Sequence, residues 1–172
     1  MLSTIARQID RDGERYLLLV FYTMIVLVIG VEVTRRFALQ AASLWGEEIA
    51  RYSLIYLIWI GASYAVRTRT HIRIDIVQGF IPTRHHIWIY MLGDVATLLF
   101  VLIAFYYSIW PIVSAIQFGT VTEGLRVSKA YALLALPLGF SMTTIRVVQN
   151  LVRDFSDYAA GREVYSGKKL FE

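Results

Sequence analysis

Four long apolar blocks, separated by short polar connections, limit this chain more than any other feature of its sequence. They run from Tyr16 to Val31, from Glu48 to Val66, from about Ile87 to Phe118 and from about Ala130 to Val148. About 20 mostly apolar residues in helix cross a bilayer core. Hydrocarbon offers no partner to a backbone N–H or C=O, so blocks of this kind must satisfy those groups internally, as helices. Only 17% of the 172 residues are charged and 57% are hydrophobic, which excludes a disordered chain and argues against a soluble enzyme. The expected fold is an all-α integral membrane domain over 1–172, with four transmembrane helices at about 16–34, 47–66, 87–118 and 130–150 and a tail at 151–172.

The first block follows a charged N-terminus, as a signal peptide does. However, Arg35 and Arg36 follow it at once and no small-x-small cleavage site is present, which favours an uncleaved first span. The third block is longer than a perpendicular crossing needs, so a kink at Pro111, a tilt or a projection into water would each accommodate it.

Basic residues set the orientation. Arg7, Arg11, Arg15, Arg67, Arg69, Arg73, Arg84, Arg153, Arg162, Lys168 and Lys169 fall on one side; Arg35, Arg36, Arg126 and Lys129 fall on the other. Both termini are therefore expected in the cytoplasm. This distribution accounts for the net charge of +4 without nucleic acid as a partner. Between the second and third spans, His71 to Pro82 reads HIRIDIVQGFIP, too short to cross. A segment lying in the headgroup region, with Arg69 and Arg73 near anionic lipid, is one reading, and a plain loop is the other.

Chemistry-bearing motifs are sparse. The chain has no cysteine, which removes disulfides, thiolate metal sites and cysteine nucleophiles. It has no Walker A, HExxH or GxSxG pattern. His71, His85 and His86 share one connection, so they cannot provide haem ligands facing each other from two helices. No cofactor and no metal are expected.

Charged residues within or at the ends of spans carry more information, because each costs roughly 2.5–3.5 kcal/mol at mid-membrane. Trp45, Glu47, Glu48, Arg51 and Tyr52 open the second span, with Glu47–Arg51 at i,i+4 and Glu48–Arg51 at i,i+3. These suit either a helix start at the outer interface or a polar contact with a partner. Asp94 and Arg146 lie at matched depth by counting from the span ends, which suggests an intramembrane ion pair; snorkelling of Arg146 is the alternative. Glu32, with Arg35 and Arg36 at i+3 and i+4, reads as a self-satisfied helix end. Glu123, Arg126, Ser128 and Lys129 occupy the second outer connection, where they suit either docking of a soluble partner or ordinary loop polarity.

The order Trp45-Gly46-Glu47-Glu48-Ile49-Ala50-Arg51-Tyr52, then Trp59-Ile60-Gly61-Ala62, then Arg67, His71, Ile72, Asp75 and Pro82 resembles the small membrane subunit of tripartite ATP-independent periplasmic (TRAP) transporters. The resemblance covers the four-span layout, and its specific part runs from Trp45 to Pro82. It implies a non-catalytic scaffold in a bacterial or archaeal inner membrane, paired with a large membrane subunit that carries the sodium and substrate sites. A periplasmic binding protein would deliver a carboxylate or sulfonate. Under that implication, Glu47, Glu48 and Arg51 organise the contact with the large subunit. Arg67, His71, Arg73 and Asp75 fix the cytoplasmic turn, and Glu123 and Arg126 help dock the binding protein. The competing reading is a self-contained small transporter or channel acting as a homo-oligomer; a membrane enzyme or redox anchor is a further rival.

Overall fold

The computed structural model describes residues 2–41, 43–68 and 86–160, and the described chain is helical apart from its connections. The helices are α1 (Leu2–Ala38), α2 (Leu44–Thr68), α3 (His86–Gln117), α4 (Ala130–Leu133) and α5 (Ala135–Ala159). Four spans are long and apolar enough to cross a membrane, with α4 and α5 together forming the last, Ala130–Ala159. The expected segment at 71–82, with Arg69, His71, Arg73 and Asp75, lies outside the described residues.

Two helices extend past the expected spans. α1 begins at Leu2 rather than near Tyr16, and its 37 residues reach ~55 Å against a ~30 Å core. Helical propensity does not stop where hydrophobicity does, and Arg7 to Arg15 contains no proline. α5 likewise continues to Ala159, beyond the expected end near 150. At its far end α1 stops where Gln40 turns left-handed, with φ of 50°. The Arg35 carbonyl there accepts from both Leu39 and Ala41 N–H.

The two prolines inside the later spans act differently. Pro111 lies within α3, which continues through it for 32 residues in all. Pro137 falls in the first turn of α5, where its missing N–H has no intrahelical partner to lose. The step at Leu134 separates α4 from α5, yet Leu134 N–H still reaches the Ala130 carbonyl at 2.9 Å and Leu138 N–H the Leu134 carbonyl at 3.2 Å, so helical hydrogen bonding carries across it.

Packing arranges the long helices in a row, α1–α2–α5–α3, rather than in chain order around a closed bundle. Phe21 stacks on Tyr56 across α1 and α2, with centroids 5.3 Å apart and rings 5° from parallel. Trp59 of α2 meets Phe140 of α5 edge-on at 4.5 Å. Gly139 makes that approach possible, because a Cβ there would strike the Trp59 Cβ. Trp88 of α3 meets Tyr158 of α5 at 6.0 Å, which pairs the start of α3 with the end of α5.

Being at the end of the row has a clear effect on α1. Glu14, Leu18, Phe21, Ile25, Val28, Glu32 and Arg35 form its less exposed stripe, spaced alternately by four and three residues. The buried apolar side chains of the described residues come from the other helices and include Ile60, Val66, Val101, Phe140 and Val147; α1 supplies none. Among the α1 residues whose burial is described, Glu14 is the one that is buried.

Candidate functional site

Polar side chains gather at the two ends of the bundle. The end that holds the start of α1 and the end of α5 is the termini end. The opposite end carries the 118–129 connection and is the loop end.

At the termini end, Glu14 is 3% exposed and lies between three helices. Its Oε1 accepts from Arg146 Nε of α5 at 2.8 Å and from Ser63 Oγ of α2 at 2.9 Å. Its Oε2 lies 3.7 Å from Arg67 Nη1 of α2. Arg146 Nη1 also donates to Gln149 Oε1 at 2.7 Å. One turn further along α5, Asn150 Nδ2 donates to the Val66 carbonyl at 3.0 Å and Asn150 Oδ1 accepts from Arg153. A buried carboxylate needs compensating charge and filled lone pairs. Two guanidinium groups supply the charge, and Arg146 and Ser63 fill Oε1, whereas Oε2 accepts no hydrogen bond among the described residues and has only the Arg67 charge beside it; together these contacts tie α1, α2 and α5.

The carboxylate at Arg146 Nε is that of Glu14, a partner that the expected pairing of Asp94 with Arg146 did not include. Glu14 escaped notice because it precedes the apolar block. The signal that would have found it is its place on the stripe that runs through Leu18 and Phe21.

At the loop end, Glu48 is 9% exposed, and its carboxylate organises the connection between α3 and α4. Oε1 accepts the N–H groups of Glu123 and Gly124, and Oε2 accepts that of Leu125, each at 2.9 Å. The loop is closed by a Val121–Ser128 bridge, by Thr122 N–H to the Val127 carbonyl at 2.8 Å and by Lys129 N–H to the Thr120 carbonyl at 3.0 Å. Thr122 is 2% exposed and accepts from Val127 N–H. A Cβ on Gly124 would come within 2.7 Å of the Leu44 carbonyl carbon, so only glycine lets the loop tip rest on the start of α2. Arg126 holds a left-handed φ of 53° at that tip.

The Glu48–Arg51 ion pair expected from i,i+3 spacing does not form. Three converging backbone amides hold the carboxylate, and Arg51 is left exposed with no ion pair to Glu47 or Glu48. Glu47, Glu123 and Arg126 are exposed around the same end. Glu32 pairs with Arg35 at 3.8 Å, as its spacing suggested, and also receives both the hydroxyl and the N–H of Ser43. Arg35 in turn lies 5.4 Å over the Trp45 ring. Among the described residues, no cluster of three His, Asp or Glu side chains is placed to hold a metal ion.

Residues 25–157 match the family of tripartite ATP-independent periplasmic transporters, DctQ component. The isethionate TRAP transporter permease protein DctMQ of Oleidesulfovibrio alaskensis is 26% identical over 111 residues. That alignment covers 64% of this chain and 18% of the relative, so the chain spans a small part of that protein's length. The matched stretch includes the Glu48 latch, Arg51, Glu123, Arg126 and Arg146, and starts beyond Glu14.

Proposed function

Since this chain belongs to the DctQ component family of tripartite ATP-independent periplasmic transporters, and is a multi-pass membrane component of such a system, we propose that it is the non-catalytic scaffold of a sodium-coupled organic-acid importer. It sits in a bacterial or archaeal inner membrane with both termini in the cytoplasm. Its partners are a large membrane subunit, which carries the transported carboxylate or sulfonate, and a periplasmic binding protein.

The observation that carries this reading is the open row of helices. None of the most apolar 18-residue stretch of α1 is buried, and α3 at the opposite edge leaves Leu92, Phe100 and Trp110 more than half exposed. A transporter core instead gathers broken helices around a midplane site. In the described residues, the charged groups lie toward the two ends, and the Glu14 and Glu48 carboxylates are tied to a neighbouring helix or loop. The relative's name joins M and Q in one protein of which this chain matches 18%, which supports a larger membrane component as the companion.

In this reading Arg51, exposed and without an ion pair among the described residues, contacts the large subunit at the loop end. Glu123 and Arg126 face the binding protein from a loop that Glu48 holds rigid. Asp94 adds a polar group where α3 lies against α5. The residues Arg67, Arg69, His71, Arg73 and Asp75 serve the turn on the cytoplasmic side, with Arg69 and Arg73 toward membrane lipid.

Reconstitution tests the proposal. Vesicles containing this chain alone should take up no organic acid under an inward sodium gradient. Adding the large subunit and the binding protein should give uptake that collapses when sodium is equalised. Uptake by the chain alone would overturn it.

A further inference from the structure

A groove of about 310 Å³ opens between α1 and α2 at the loop end, lined by neither Glu14 nor Glu48. Its apolar wall is Ile29 and Val33 of α1, each about half exposed, and its rim carries Arg36 from α1 and Glu47 from α2. Glu32 also lines it, but its carboxylate is already taken by Arg35 and Ser43. Gly46 permits that diversion, because a side chain there would collide with the Glu32 carboxylate. Arg36 and Glu47 are therefore left exposed, and among the described residues neither has an ion-pair or hydrogen-bond partner. The net result is one free cation and one free anion on facing walls of an apolar slot.

We propose that this groove binds a phospholipid with a zwitterionic, primary-ammonium headgroup of the phosphatidylethanolamine type. The phosphate is held by Arg36, the ammonium is held by Glu47, and an acyl chain lies along Val33 and Ile29. Charge complementarity selects this occupant. A guanidinium binds phosphate oxygens through paired N–H donors, and an ammonium gives Glu47 up to three. An anionic glycerol headgroup would satisfy Arg36 but add no cation for Glu47. A choline headgroup has the charge but no N–H to donate. Depth agrees as well: Arg36 and Glu47 sit at helix ends, and Ile29 lies two turns, ~10 Å, further into the span.

The test is native mass spectrometry of the delipidated chain, titrated with equimolar phosphatidylethanolamine, phosphatidylglycerol and phosphatidylcholine. The chain should retain one phosphatidylethanolamine about tenfold over either competitor, as expected for two charge-assisted contacts. Arg36→Gln and Glu47→Gln should each abolish the preference, while the exchange Arg36→Glu/Glu47→Arg should restore it with the headgroup reversed. Arg51→Gln, outside the groove, should leave it intact, and circular dichroism should show unchanged helix content in all variants. Equal retention of the three lipids, or an undiminished preference in both single variants, would overturn the proposal. So would loss of large-subunit co-purification in those variants with lipid retention unchanged, which would make the groove a protein contact.

Discussion

Each end of this bundle buries one glutamate, and the two are neutralised by different means. Glu14 meets full charges, from Arg146 at 2.8 Å and Arg67 at 3.7 Å. Glu48 meets dipoles, chiefly three backbone N–H groups of one loop. Side-chain partners come from separate helices, so the Glu14 cluster fixes how α1, α2 and α5 sit against one another. Backbone partners come from consecutive residues, so Glu48 fixes the shape of a loop. The difference suits a scaffold whose one end holds its helices together and whose other end presents a surface.

The largest effect should come from breaking the charged end. Arg146→Met strands Glu14 in a buried site and should cost ~3–5 kcal/mol, read as a lower thermal midpoint in detergent. Changing both partners, with Glu14→Leu and Arg146→Met, should recover most of that loss. If the double variant is as unstable as the single one, the pair is not what joins these helices.

The dipolar end should fail locally. Glu48→Ala leaves three amides without their acceptor, so Glu123, Gly124 and Leu125 should exchange their amide hydrogens about tenfold faster or more. Exchange around Ser63 and Asn150 should not change; a global rise would mean the two ends are coupled. Gly124→Ala drives a methyl into the Leu44 backbone and should cost ~1–3 kcal/mol while displacing the loop.

Two smaller substitutions sharpen the contrast. Tyr56→Phe removes a 2.6 Å hydrogen bond to the Tyr131 carbonyl and should cost ~0.5–1.5 kcal/mol. Arg126→Gly relieves a left-handed residue and should raise stability by up to ~1 kcal/mol. If Arg126 serves docking, that same variant should bind the periplasmic partner less tightly despite its stability.

The four spans were legible because lipid leaves the backbone no other choice, and runs such as YLLLVFYTMIVLVIGV state that plainly. The polar start of α2 was legible too, since Glu48 is costly there without a purpose. Its actual partners were not, because the Glu123 to Leu125 amides are some 75 residues away and no side-chain pattern marks a backbone donor. Spacing along one helix favoured Arg51, the only partner that local counting can see. Glu14 was hidden for a related reason: it lies before the apolar block, and its ion pair spans 132 positions. The order of the row was equally out of reach, because periodicity shows that a face is buried but not which helix buries it. The orientation from basic residues and the roles of Arg69, His71, Arg73 and Asp75 rest on sequence alone.

The central claim is that this chain supports a larger transporter and moves no substrate itself. Affinity purification of the tagged chain from native membranes, followed by mass determination of the intact complex, tests it most directly. The account predicts one copy of this chain with a multi-span partner several times its length. A stable homo-oligomer of this chain, purified without any such partner, would contradict it.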